Sequence, residues 1–179
     1  SSIAHGGYLL VGLVSANQVG KASILFYLLA YAVTNLAAFG VISMLGARDR
    51  ANDELSDYKG LWHSHPMLAA LMTVALLSLG GLPPTAGFIA KWYIFSAAVS
   101  AGYYGLAVIG MLTSVISVFF YLRVVVMMYM ADREGASAPP PVTGVGMAAL
   151  AVAIIVIFIL GILPAPVMTL AAQSIATIF

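Results

Sequence analysis

The sequence predicts an all-α fold, a polytopic transmembrane helix bundle of about five spans in which one helix is broken. Three observations predict it. Of the 179 residues, 63% are hydrophobic and only 7% carry a charge, against about 25% charged in an ordinary soluble domain. Mean hydropathy is +1.07, so a soluble globule of this size would lack the polar residues to cover its surface. The apolar runs are long and continuous, where a membrane β-barrel would show alternating segments of about 10 residues.

The elements follow in order. A bilayer core of about 30 Å requires about 20 apolar residues in helical form. The first candidate, Ile3 to Ala16, is several residues short. The chain opens Ser1-Ser2-Ile3-Ala4-His5 with neither Met nor a basic leader, so it is expected to be a piece cut inside a hydrophobic segment of a longer protein. The second span is Ala22 to Gly46. The third runs from Pro66 to about Ala98 and is interrupted by Gly80, Gly81, Pro83 and Pro84, which break a helical ladder in mid-span. The fourth is Tyr103 to Met130. The fifth is about Val145 to Leu163, followed by Pro164-Ala165-Pro166 and an apolar stretch to Phe179. No internal repeat stands out, and residues 1–179 read as a single membrane domain.

Composition also excludes function classes. Without cysteine there is no disulfide, no cysteine-held iron–sulfur cluster and no cysteine zinc site. A net charge of +1 leaves no basic surface for nucleic acid. His63 and His65 sit at a loop–membrane boundary without a carboxylate or cysteine partner set, so no metal site is read there.

Two connections carry most of the charge. Residues 47–65 hold Arg48, Asp49, Arg50, Asp53, Glu54, Asp57 and Lys59, and residues 131–143 hold Asp132, Arg133 and Glu134 with a triple proline, Pro139 to Pro141. With five spans these two loops share a side with Arg48, Arg50, Lys59 and Arg133, while only Lys21 lies opposite. The excess of Lys and Arg predicts that this side is cytoplasmic, or the matrix side in an organelle, with the C-terminus on the opposite side.

An ionisable residue inside a span is costly to bury and marks a functional site by default. Lys91 is the foremost case. It lies about a turn and a half past the break, and apolar residues continue through Ala97 and Ala98, so it cannot easily snorkel out. Freed backbone groups at such a break need partners from protein or water, and discontinuous helices recur at transporter ion sites. Desolvation favours the neutral amine, which suits a lysine that accepts and releases a proton. The alternative is a structural lysine paired with a carboxylate elsewhere.

His5 is a second candidate relay member, with a neutral packing residue as the alternative. Tyr27, Tyr31, Thr34 and Asn35 form a stripe on the second span that either orders water or bonds across helices. Ser114, Ser117 and Tyr121 line one face of the fourth span with the same two meanings. Arg123 reads as a structural residue, snorkelling to its helix end or pairing with a carboxylate.

Several segments resemble one family. Ser1-Ser2-Ile3-Ala4-His5-Gly6-Gly7-Tyr8, the run Tyr27-Leu28-Leu29-Ala30-Tyr31, and Ser78-Leu79-Gly80-Gly81-Leu82-Pro83-Pro84-Thr85-Ala86-Gly87-Phe88-Ile89-Ala90-Lys91-Trp92 resemble the subunit N family of NADH–quinone oxidoreductase, respiratory complex I. Asp57-Tyr58-Lys59-Gly60-Leu61 before Pro66, and Tyr121-Leu122-Arg123 with Met127 and Met128, fit the same family. The resemblance covers nearly the whole chain in order. It implies an antiporter-like subunit of fourteen helices in two inverted repeats, of which this chain matches about the last five. It implies that Lys91 is the broken-helix lysine of the second half on a proton path and that His5 is a polar member of it.

The resemblance further implies a proton-translocating subunit in a bacterial inner membrane. NADH, flavin, iron–sulfur clusters and quinone would belong to partner subunits, with no cofactor and no redox centre in this chain. Its partners would be lipid, other membrane subunits and protons. Two rival readings stay open: a subunit of a multisubunit sodium/proton antiporter or membrane-bound hydrogenase, and a structural membrane scaffold.

Overall fold

The structure, a computed structural model, describes residues 1–46, 54–131 and 144–178. These residues form α1 (Ser2–Ser15), α2 (Gln18–Leu45), a 3-10 turn (Leu55–Tyr58), α3 (Leu61–Ser64), α4 (Pro66–Gly80), α5 (Ala86–Ser100), α6 (Tyr104–Met130), α7 (Gly144–Ile162) and α8 (Ala165–Ile178). The charged positions Arg48, Arg50, Asp132, Arg133 and Glu134 lie outside the described residues, as does the triple proline.

Three helices, α2, α6 and α7, are long and apolar enough to cross a membrane alone. The expected broken span is present as α4 and α5, each of 15 residues, or about 22 Å at ~1.5 Å per residue. Neither half crosses a ~30 Å core by itself. The short first stretch is α1, with 14 residues.

The boundaries have local causes. α2 begins earlier than its apolar run, because Asn17 caps it by accepting from the Gly20 N–H at 2.7 Å. Lys21 therefore sits in the first turn of a helix and not in a loop. The Asn17 amide also donates to the Ala97 carbonyl at 3.0 Å, tying the start of α2 to the end of α5. α4 starts with Pro66 at its first position, where a missing N–H costs nothing.

α2 is the central column. It packs against α1, α4, α5, α7 and α8, while α6 closes the other side of α4 and α5. Small side chains suit close helix packing: Ala22, Ala30, Ala37 and Ala38 on α2, Ala69 and Ala75 on α4, and Ala86, Ala90, Ala97 and Ala98 on α5 are all buried. One end of α6 is seated by the loop before α4. The Gly60 N–H donates to the Met127 carbonyl at 3.1 Å, and Trp62 stacks on Tyr129 at 5.0 Å.

The outer faces are apolar. On α6, Ile109, Leu112, Val115, Ile116, Phe119 and Phe120 are all exposed. Such a surface requires lipid, detergent or protein cover. The isolated chain is accordingly expected to aggregate in detergent-free buffer. A monodisperse, detergent-free monomer in sedimentation would contradict the membrane assignment.

Candidate functional site

The site is built around the break. α4 ends at Gly80, and Gly81 takes a left-handed conformation at φ 82°. The Gly81 N–H bonds back to the Leu77 and Ser78 carbonyls, and the Leu82 N–H to the Leu77 carbonyl, a glycine-terminated helix end. This geometry leaves the last carbonyls of α4, those of Leu79 and Gly80, without intrahelical donors. They lie at the negative end of the α4 dipole. Leu82, Pro83 (joined to Pro84 by a cis peptide), Pro84 and Thr85 then lead into α5.

Lys91 returns from the second turn of α5 to fill that end. Its Nζ donates to the Leu79 carbonyl at 2.9 Å, the Gly80 carbonyl at 3.0 Å and Ser114 Oγ on α6 at 2.9 Å. An ammonium has three donors, and here all three have acceptors. No carboxylate among the described residues bonds to it, so the fixed-ion-pair alternative has no partner within these residues. Burial opposes the charge, while the carbonyls and the helix end support it. Gly81 is required twice over, for its positive φ and because a Cβ there would lie 2.9 Å from Lys91 Cδ.

His5, on α1, organises a second cluster. Its Nδ1 pairs with the Tyr27 hydroxyl at 2.6 Å and its Nε2 with the Tyr121 hydroxyl at 3.3 Å. The Tyr121 hydroxyl also bonds to Ser1 Oγ. Tyr31 stacks on the imidazole at 4.6 Å. Residues from α1, α2 and α6 thus meet on one buried histidine.

A third set joins α2 to the break. Thr34 Oγ donates to the Ala30 carbonyl at 2.7 Å and shares a 3.1 Å bond with Ser78 Oγ. Ser78 Oγ accepts from the Gly87 N–H in the first turn of α5 at 3.2 Å. The direction of donation is therefore fixed, from Gly87 to Ser78 to Thr34 to Ala30. His5, Tyr27, Tyr31, Thr34, Ser78 and Gly87 line one small cavity. Its volume of about 10 Å³ for a water's centre accommodates roughly one water.

The structure brings together Lys91, His5, Tyr27, Tyr31, Thr34 and Ser114 with the break residues. Ser117 stands apart, since its hydroxyl donates to the Ser114 carbonyl at 2.6 Å in its own helix. Arg123 is exposed on α6, and His63 is exposed on α3. Sequence reasoning did not single out Ser78 or Tyr8. The only signal for Ser78 was its place next to the break.

Residues 1–117 match the family described as NADH:quinone oxidoreductase/Mrp antiporter, TM. NADH-quinone oxidoreductase subunit N of Trichlorobacter lovleyi is 47% identical over 178 residues, covering 99% of this chain and 37% of that protein. Subunit N 1 of Herpetosiphon aurantiacus is 50% identical over 166 residues, covering 92% and 34%. The chain therefore spans little more than a third of the curated relatives it matches. Among solved structures, a chain of respiratory complex I from Thermus thermophilus superposes with TM-score 0.77 at 33% identity, covering 94% of this chain and 38% of that one. A chain of the Mrp complex from Dietzia sp. DQ12-45-1b superposes with TM-score 0.82 at 19% identity, covering 92% and 39%, a likeness of fold.

Proposed function

The chain belongs to the NADH:quinone oxidoreductase/Mrp antiporter membrane family, and from that premise we propose that it is part of a proton-translocating subunit of NADH–quinone oxidoreductase. The observation that carries this reading is the buried Lys91 held by the end of a broken helix, within a chain that is 47% identical to a subunit N. Lys91 stores a proton at Nζ. A positive charge arriving nearby disfavours the ammonium and expels that proton, and its departure lets the amine reload. His5, Tyr27, Tyr31, Thr34 and Ser114 form the polar path around it. NADH oxidation and quinone reduction take place in partner subunits, which hold the flavin and iron–sulfur clusters; this chain contributes no redox centre.

A multisubunit antiporter subunit is the competing assignment, since the matching family is described as covering both NADH:quinone oxidoreductase and Mrp antiporter proteins. The test is purification of the full-length protein from its native membrane in mild detergent, followed by reconstitution into vesicles. Co-purifying flavin and iron–sulfur proteins, with NADH-driven and quinone-dependent proton movement, support the proposal. Antiporter subunits without redox centres would overturn it.

The proposed setting is a bacterial inner membrane, with residues 47–65 and 131–143 on the cytoplasmic side. Ser56 is exposed in the 3-10 turn before α3. A cysteine placed there is expected to react with a membrane-impermeant maleimide in inverted vesicles and not in intact cells. Labelling of intact cells would reverse the orientation.

A further inference from the structure

The hydrogen bonds at Lys91 fit either protonation state. As an ammonium it donates to the Leu79 and Gly80 carbonyls and to Ser114 Oγ. As a neutral amine it keeps two N–H groups for the two carbonyls and gains a lone pair. The serine hydroxyl that accepts in the first state can turn and donate to that lone pair in the second. Counted by hydrogen bonds, the loaded and the empty lysine are held alike. One neighbour differs in kind. Lys91 Nζ lies over the ring of Tyr8 on α1, 5.1 Å from the centroid, inside the ~6 Å reach of a cation–π contact. Two further rings fix the plane of Tyr8: His5 at 5.7 Å and Phe95 at 5.8 Å, both T-shaped against it. Tyr8 is 3% exposed, so water screens the contact little. Its hydroxyl has no hydrogen-bond partner among the described residues, so the ring is what Tyr8 presents to the site.

We propose that the face of the Tyr8 ring is a charge-selective hold on Lys91: it attracts the ammonium and gives the amine almost nothing, so Tyr8 is a positioning residue that sets how firmly the loaded state is kept. The proposal rests on the proton-path reading above and adds no member to that path. The quadrupole of the ring puts negative potential on its face, which draws a cation and is nearly indifferent to a neutral group. The strength of this hold suits a site that must empty. A buried carboxylate paired with the ammonium would leave a charge without a partner each time the proton departed. An aromatic face carries no charge, so the amine is left beside an ordinary apolar surface.

Ring fluorination separates this role from packing. Each fluorine withdraws electron density from the face and changes the shape of the ring little. Position 8 is replaced in turn by phenylalanine and by its mono-, di- and trifluoro derivatives, in the full-length protein within its assembled complex. Protons moved per NADH oxidised are measured in sealed vesicles, each variant read against Tyr8→Phe. The proposal predicts a stepwise fall with each added fluorine, reaching on the order of five-fold for the trifluoro ring, because fewer lysines are loaded in each cycle. The same fluorinated series at Phe95, which touches Tyr8 from α5, is the control for packing and is expected to show no such trend. A flat series at position 8, or an equal trend at both positions, overturns the proposal. Loss of pumping already in Tyr8→Phe assigns the role to the hydroxyl and overturns it too. Lys91→Met is measured in parallel. Wild-type pumping there overturns the underlying reading, whereas a flat Tyr8 series beside an inactive Lys91→Met removes the charge-selective hold alone.

Discussion

Lys91→Met in the assembled full-length protein is expected to cut proton translocation per NADH oxidised by at least about ten-fold. Methionine roughly matches the length of the lysine stem and removes the amine. The Leu79 and Gly80 carbonyls and Ser114 Oγ then lose a shared donor at the end of α4. Lys91→Arg discriminates between two roles. A guanidinium stays protonated under all working conditions, so a counter-charge survives while a releasable proton is lost. A relay therefore fails in both variants, whereas a fixed electrostatic support fails only in Met. Electron transfer is expected to slow along with pumping if the two are tightly coupled. The measurement is membrane potential or proton uptake per NADH in vesicles, with assembly verified on native gels. Wild-type pumping in both variants would remove Lys91 from the mechanism.

The second large effect is structural. Gly87→Ala is expected to destabilise the join between the two half-helices by about 1–3 kcal/mol, the usual cost of overpacking. A Cβ at Gly87 would lie 1.8 Å from the Ser78 carbonyl oxygen and 2.7 Å from its carbon. Both obstacles are backbone, so no rotamer change relieves them. α5 would have to withdraw from α4, breaking the 3.2 Å bond from the Gly87 N–H to Ser78 Oγ. The acceptors around Lys91 would shift with it. Lower yield of assembled complex and a lower melting temperature in detergent are the readouts. Gly105→Ala is the matched control, because nothing lies within 4 Å of a Cβ there. Equal behaviour of the two variants would show that the half-helices are not in tight contact.

The broken span and Lys91 were legible in the sequence because each violates a strong local rule. Paired glycines and prolines do not belong in mid-span, and a lysine does not belong in an apolar run. The end of α2 was legible for the same reason, since a charged loop follows it. Its start was not, because Asn17, Gln18 and Lys21 read as a loop until the Asn17 cap and its bond to Ala97 are seen. The polar clusters were legible only in part. Tyr27, Tyr31 and Thr34 stand out as a stripe, yet their meeting with His5 and Ser78 depends on how α1, α2 and α4 pack. Tyr8 was visible in the sequence only as a neighbour of His5, with no role assigned to it. A lone tyrosine on an apolar helix has no distinguishing pattern, and only the contacts with Lys91, His5 and Phe95 reveal its position. Ser117 shows the reverse, a polar residue on the right helix face whose hydroxyl is taken by its own backbone.

Two of the three acceptors for Lys91 are main-chain oxygens, those of Leu79 and Gly80. Every amino acid carries a backbone carbonyl, so no single codon change can delete either one. The holding site is thereby insulated from drift at positions 79 and 80, where a new side chain alters packing and leaves the acceptor in place. Heritable loss of the site must come by other routes, through the lysine codon, through Ser114, or through residues such as Gly81 that set where the helix stops. In a mutational scan the damage around Lys91 should therefore track chain geometry more closely than chemical character. Leu79→Met should be nearly silent where Gly81→Ala is severe.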